Sequence, residues 1–229
     1  MLSITKIQHA CFLISAGNAT IVTDPYCTDI ENAIKQFPTI KNPDYILVSH
    51  GHHDHIGNLF DILGNKTTVI ANFEICNFLA RKGITKLIPM NTGGRLEFTG
   101  GSFTMVHAIH SSTIEDNGES LYAGLACGYI ISIGGKTIYF AGDTDLFGDM
   151  QIMEELYKPQ IGLLPIGGRF TMNIASAAFA CNNYFNFEII IPMHYNTFPP
   201  IAVNTDDFVG AIKKSKVVVL NDFTSALVP

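Results

Sequence analysis

The sequence has no tryptophan, no Cys-x-x-Cys pair and no run of basic residues. Its five cysteines, Cys11, Cys27, Cys76, Cys127 and Cys181, are odd in number and widely scattered. That argues against a disulfide framework and fits free thiols in a reducing cytoplasm. With 14 basic against 20 acidic residues and a formal net charge of -6, the chain shows no electrostatic footprint for a nucleic acid. No stretch approaches the roughly 18 apolar residues of a membrane span. The segment Met1–Ile14 lacks the basic start, long apolar run and cleavage site of a secretory leader. The expectation is a cytoplasmic protein without membrane or nucleic-acid partners. The glycine pairs Gly100-Gly101 and Gly134-Gly135 complete neither a Walker nor a Rossmann fingerprint, so no nucleotide cofactor is expected.

Charged residues make up only 15% of the chain and hydrophobic residues 47%, enough for a large core and too many for disorder. Ile4 to Ile14 reads as one strand, Gly17-Asn18 as a turn and Ala19 to Thr23 as its hairpin partner. Strand and helix patterns then alternate. Asp29–Phe37 reads as a helix, Asp44–Ser49 as a strand, Leu59–Leu63 as helical turns and Thr67–Ala71 as a strand. A helix over Asn72–Lys82 and a strand over Ile84–Pro89 follow. Leu96–Phe98 and Ser102–Ala108 read as antiparallel strands, Ser111–Leu125 as a loop, and Ala126–Ser132 with Lys136–Phe140 as a second hairpin. The remainder gives helices at Gly148–Leu156, Asn173–Asn182 and Asp206–Ser215, with strands at Ile161–Pro165, Glu188–Pro192 and Lys216–Leu220. The pattern predicts mixed sheets covered by helices, in one domain over residues 1–229 with two pseudo-repeated halves. An apolar composition of this kind also permits a homo-oligomer.

The densest chemistry follows the strand at Asp44–Ser49, in His50-Gly51-His52-His53-Asp54-His55. A metal ion needs several unprotonated N or O atoms converging on one point. Imidazoles and a carboxylate packed this closely need a cation to unite them. Gly51 and Gly57 are expected to supply the backbone freedom for the turn. Two histidines one residue apart can grip one ion, leaving Asp54 and His55 to face a second. His110, Asp143 and His194 each lie just past a predicted strand end and are candidates to complete the set. A carboxylate such as Asp143 can bridge two ions.

The His-x-His-x-Asp-His loop resembles that of the metallo-β-lactamase fold superfamily. More narrowly, the chain resembles uncharacterised metal-dependent hydrolases related to ascorbate-6-phosphate lactonases. The markers are Gln8–Phe12, Thr23–Pro25, Ala108–Ser112, Ala141–Thr144, Leu164–Gly167, Phe170–Met172 and Pro192–Pro199. The resemblance implies an α/β (α+β in some schemes) four-layer αβ/βα sandwich with the site at one edge between the sheets. It also implies His50, His52 and His110 around one divalent ion, Asp54, His55 and His194 around another, and Asp143 between them. His107 is the alternative to His110, which matches the third-histidine segment better. In related proteins His9 and Asp24 lie near the site. His9 is read as a substrate or ligand-steadying residue or as an anchor of the first hairpin, and Asp24 as orienting a ligand histidine. One departure stands out: relatives usually carry an acidic residue after Leu-Pro-Ile-Gly, and this chain has Gly168 and then Arg169.

The expected chemistry is that of a metal-dependent hydrolase, in which a metal-bridging hydroxide attacks a small anionic ester, lactone or phosphodiester. Asp54 would orient the hydroxide or accept a proton. Tyr195 and Asn196 would donate to a developing oxyanion. Arg169 is either a handle for an anionic substrate or a solvated side chain. Zinc and manganese suit these ligands, and iron does too. The competing readings are a metal-stabilised binding protein without turnover and a diiron redox protein.

Overall fold

The computed structural model describes residues 1–228. The first half builds one sheet from β1 (Leu2–Gln8), β2 (Cys11–Ala16), β3 (Ala19–Thr23), β4 (Tyr45–Leu47), β5 (Thr68–Asn72) and β6 (Leu87–Met90). Its helices are α1 (Ile30–Gln36), α2 (His53–Ile56), α3 (Leu59–Ile62) and α4 (Phe73–Arg81). The second sheet holds β7 (Arg95–Phe98) and β8 (Gly101–His107). The hairpin β9 (Thr113–Asp116) and β10 (Glu119–Tyr122) stands apart, and β11 (Cys127–Ile133), β12 (Lys136–Phe140), β13 (Ile161–Pro165), β14 (Ile189–Met193) and β15 (Lys216–Val217) complete the sheet. Here the helices are α5 (Met150–Tyr157), α6 (Ile174–Asn183) and α7 (Thr205–Ala211). The last strand, β16 (Thr224–Val228), returns to the first sheet and pairs antiparallel with β1. The strand orders are β16-β1-β2-β3-β4-β5-β6 and β15-β14-β13-β12-β11-β8-β7. Each sheet passes from antiparallel pairing to parallel pairing.

The central strands are apolar on both faces because both faces are covered, whereas the edge strands β7 and β16 carry exposed residues. Phe12 and Ile14 of β2 enter the core between the sheets, whereas Cys11 and Leu13 enter the core under the helices of the first half. That two-residue period sorts one strand between two cores. Fully buried Phe12, Phe103, Tyr129 and Phe140 fill the inter-sheet layer, while Tyr139 points the other way onto Phe185, each contributing about 1.5–3 kcal/mol of burial. The Tyr129 hydroxyl donates across the layer to the carbonyls of Val48 (2.9 Å) and Ile70 (3.2 Å). The amide of Cys127 donates to the Ser49 carbonyl at 3.0 Å. The second sheet thus grips the end of β4, where the histidine-rich loop begins.

Four expectations change. The predicted strand Ile4–Ile14 is two strands that reverse at His9-Ala10, where His9 adopts φ +57°. The predicted loop Ser111–Leu125 contains the β9–β10 hairpin, turned by Asn117-Gly118 with φ +52° and +83°, the left-handed pair of a type I′ turn. The predicted closing strand Lys216–Leu220 shortens to β15, and the true final strand is β16. Gly51 and Gly57 do not serve as flexible joints. A Cβ on Gly51 would sit 2.6 Å from Ile114 Cγ1 and 2.7 Å from Ala123 Cβ, and one on Gly57, which is itself helical, would sit 2.7 Å from the His53 carbonyl. Close packing, not freedom, requires glycine at both.

Candidate metal centre

The loop leaves β4 extended through His52, and the single turn α2 then re-aims the chain. Asp54 and His55 face inward, while His53 turns out against the Tyr26 ring. His50 and His55 are fully buried. His50 Nε2 lies 2.9 Å from His52 Nδ1. His110, just past β8, has its ring centroid 4.9 Å from that of His50 and 5.1 Å from that of His52. His107 lies elsewhere, edge-on to Phe147.

Asp143 follows β12 through Gly142, whose φ of +60° and contact with Ser49 admit no larger residue. Its Oδ1 lies 3.4 Å from His55 Nε2, and its Oδ2 lies 2.9 Å from His194 Nε2 and 3.6 Å from His110 Nε2. Two sets of ligand atoms, each mutually within 4.8 Å, result: His50, His52 and His110, and His9, Asp54, His55 and His194. Asp143 touches members of both.

Asp24, fully buried with φ +33°, organises this centre from behind. Its Oδ1 accepts from the Ser49 amide at 2.7 Å. Its Oδ2 accepts from the Ser49 hydroxyl at 2.6 Å and from His55 Nδ1 at 2.7 Å. The single Ser49 hydroxyl proton is committed to Asp24, so His50 Nδ1, 2.9 Å from that oxygen, must be the donor. In their neutral forms both His50 and His55 therefore turn a bare Nε2 toward the centre.

Burial holds His50 well below the ordinary histidine range, with His55 adding to the effect. His52 and His110 are lowered by burial as well. His55 moves up: burial opposes its charge, but Asp143 and Asp24 outweigh burial. Burial likewise opposes the Asp143 carboxylate, yet His194 and His55 hold it well below the usual range. Burial opposes the charge of Asp54 too, and the His9 hydrogen bond and His55 override it. Asp24 is raised by burial against its hydrogen bonds to His55 and Ser49.

His55 Nε2, Asp143 Oδ1 and both ring nitrogens of His194 are buried without a hydrogen-bond partner, despite the short approach of His194 to Asp143. Each such orphan costs about 1–3 kcal/mol. A divalent cation would satisfy several at once, and imidazoles with carboxylates are the donor set that zinc, manganese or iron accept. The residues fit a metal centre. It opens on a hollow of about 300 Å³, lined by His52, Asp54, His110, Asp143 and His194 with Ser111 and Phe170.

Other candidates lie outside it. The Tyr195 ring is buried under the Lys6 ammonium, 4.3 Å from its centroid, and faces a separate depression with Gln8 and Asp222. The geometry thus gives it no access to an oxyanion in the hollow. Asn196 is at φ +58°, and its Oδ1 accepts from the Val203 amide at 2.7 Å, a bracing role for the loop. Arg169 is exposed beside Phe170 and does not line the hollow. Gly168 has φ +82° with Asn173 Cβ 3.1 Å from where a Cβ would lie, so this turn itself selects glycine over an acidic residue. Sequence reasoning assigned no role to Ser49, Ser111, Phe170 or Thr197. Ser49 and Thr197 were signalled only by their places beside His50 and in the Pro192–Pro199 segment.

Two facing sheets between helix layers, with histidines and aspartates gathered at one edge, are the architecture of the metallo-β-lactamase class. A family profile described as "Beta-lactamase superfamily domain" matches residues 19–195. A "UPF0173 metal-dependent hydrolase" of Methanoculleus marisnigri is 41% identical, covering 93% of this chain and 89% of its own. One from Methanosarcina mazei is 40% identical over 96% of both. The solved structure of Igni18, a metallo hydrolase from Ignicoccus hospitalis, superposes with a TM-score of 0.83 at 32% identity, covering 98% of this chain and 97% of that one. The chain belongs to the β-lactamase superfamily, in the group of UPF0173 metal-dependent hydrolases.

Proposed function

We propose that the protein is a metal-dependent hydrolase acting on a small ester, lactone or phosphodiester at a centre for two divalent ions. The observation that carries this reading is Asp143, whose two oxygens approach ligands of both histidine sets while its neighbours carry buried, unpartnered ligand atoms. When bound there, divalent cations would supply Lewis acidity, activating water and polarising a substrate oxygen. His50, His52 and His110 would hold one ion, and Asp54, His55 and His194 the other. The Asp54 side chain is 30% exposed to the hollow, so it can orient an entering water and take its proton. Ser111 Oγ, 3.5 Å from His52 Nε2, can hydrogen-bond a substrate at the mouth. Phe170 covers one wall with apolar surface. No lysine or arginine lines the hollow among the described residues, so a negative substrate group would be met by the ions themselves. The lactone option rests only on the resemblance of sequence segments to uncharacterised metal-dependent hydrolases related to ascorbate-6-phosphate lactonases. Five free, buried cysteines support a cytoplasmic setting. No helix among the described residues is long and apolar enough to cross a membrane.

The test is to strip the protein and reload zinc, manganese or iron separately, then assay lactones, phosphodiesters and phosphomonoesters against a His52→Ala control. Turnover restored by a metal and lost in the control supports the reading and names the bond. Failure to bind any of the three metals overturns it.

A further inference from the structure

One chain of contacts runs from Thr197, outside both ligand sets, through His9 to Asp54. Thr197 Oγ1 lies 2.9 Å from His9 Nδ1, and His9 Nε2 lies 3.1 Å from Asp54 Oδ2. His9 itself is 1% exposed. Its ring is packed against those of His194 at 4.0 Å, His55 at 5.5 Å and Phe198 at 5.6 Å between centroids.

The hydrogen placement follows from donor and acceptor chemistry. An ionised carboxylate only accepts, so His9 Nε2 carries the proton that faces Asp54. In the neutral ring Nδ1 then holds only a lone pair, and the Thr197 hydroxyl must donate to it. The one other acceptor recorded for that hydroxyl is the Tyr195 carbonyl, at 3.5 Å, a longer and weaker contact. His9 is therefore hydrogen-bonded at both ends: Asp54 sets its tautomer, and the Thr197 hydroxyl, donating to Nδ1, holds the ring plane.

We infer that Thr197 is a positioning residue: its hydroxyl locks His9 with Nε2–H directed at Asp54 Oδ2. The oxygen so anchored, Oδ2, is the one that lies 3.8 Å from His194 Nε2 and 4.0 Å from His55 Nε2, so the bond fixes the Asp54 carboxylate where it faces the centre. The assignment makes His9 a support for a carboxylate, not a ligand in its own right. A ring that donates from Nε2 to Asp54 and accepts at Nδ1 from Thr197 has no lone pair left for a metal ion. It also explains why a threonine sits three residues past His194, in a loop whose Asn196 is braced by Val203. Histidine–carboxylate supports of this kind commonly change metal affinity by about 10–100-fold when broken. The inference rests on the hydrolase reading only for its consequence in turnover. The tautomer lock stands on the chain's own hydrogen bonds.

The experiment is long-range ¹H–¹⁵N NMR of the histidine rings, on the metal-free and zinc-loaded protein, for the wild type, Thr197→Val and Thr197→Ser. Zinc affinity is measured by competition with a chromophoric chelator. The wild type is expected to show His9 as a single Nε2–H tautomer in both states. Thr197→Val, which keeps the shape and removes the hydroxyl, should leave Nε2 protonated, shift the His9 Nδ1 resonance as that nitrogen loses its donor, and weaken zinc binding about tenfold. Thr197→Ser should restore the resonance and the affinity. Thermal melts confirm that the variants are folded. An Nδ1–H tautomer in the wild type overturns the inference. So does an unchanged Nδ1 resonance and affinity in Thr197→Val, or an equal loss in Thr197→Ser, which would assign the effect to packing. If the wild type binds neither zinc, manganese nor iron, the hydrolase reading fails, and the His9 tautomer in the metal-free protein still decides this one.

Discussion

The carbonyl of His9 accepts a hydrogen bond from the amide of His194 at 3.2 Å, and both residues hold left-handed backbones, φ +57° and +54°. The bond joins the end of β1 in one sheet to the end of β14 in the other. Left-handed conformations in residues other than glycine cost about 1–3 kcal/mol each and persist only where the surroundings impose them. Asp24 and Asn196 share the feature, so four such residues surround one centre. The strain is concentrated where the ligands are aimed.

Asn196 offers a clean measure of that strain. Asn196→Ala loses the Val203 hydrogen bond and leaves a Cβ residue at φ +58°, whereas Asn196→Gly loses the same bond and relaxes the backbone. Glycine should be less destabilising than alanine by about 1 kcal/mol in urea unfolding. Equal losses would show that the backbone is not under strain there.

Metal removal should lower stability. The orphaned nitrogens of His55 and His194 gain partners only when a cation enters. Zinc at about 100 times its dissociation constant should add about 2.7 kcal/mol, read as a rise in melting temperature that a chelator reverses. Asp143→Ala should abolish the rise. A melting curve indifferent to zinc and chelator would contradict the site.

Asp24 should matter for folding even without metal. Its removal strands three buried donors: the Ser49 amide, the Ser49 hydroxyl and His55 Nδ1. Asp24→Ala should cost about 3–5 kcal/mol. Asp145, which is exposed and caps only the Leu146 amide, is the control and should cost about 1 kcal/mol or less on replacement by alanine. Comparable losses in chemical denaturation would refute the role given to Asp24.

Gly51→Ala should act through sterics. The new methyl would meet Ile114, Ala123 and the Thr113 carbonyl, two of them side chains of the β9–β10 region packed in the core. An overpacking penalty of about 1–3 kcal/mol is expected, with weaker zinc binding because the loop between His50 and His52 must shift. Calorimetry on the variant, showing wild-type stability and affinity together, would rule this out.

The sequence made the histidine cluster legible because its six residues are contiguous, and the strand ends carrying His110, Asp143 and His194 were marked by apolar runs that stop abruptly. The two-sheet architecture followed from hairpins alternating with strand–helix units. What escaped the reading was set by long-range contacts. The reversal at His9 has no glycine or proline to announce it, and the runs on either side read as one strand. Strand β16 is short and mostly exposed, and is fixed by pairing with a strand more than two hundred residues earlier in the chain. The Asn117-Gly118 turn, by contrast, was written in the sequence and obscured by the polarity around it. Tyr195 was misplaced because adjacency to His194 in sequence says nothing about direction when the backbone turns left-handed at that histidine.

The β9–β10 hairpin is latched at its base, and Lys82 holds Asp116, the last residue before the turn, at 2.7 Å. The Gly51 amide donates to the Ser112 hydroxyl at 3.1 Å, that hydroxyl donates to the Ala123 carbonyl at 3.1 Å, and Ile114 and Ala123 are buried, while Asn117 to Ser120 at the tip are exposed. Mutations can therefore accumulate at the tip without disturbing the ligands, whereas Gly51 tolerates almost none. Next to Ser111 at the hollow, the fold thus carries a segment whose tip can be rewritten in descendants of this chain while the cradle of histidines and aspartates is inherited unchanged.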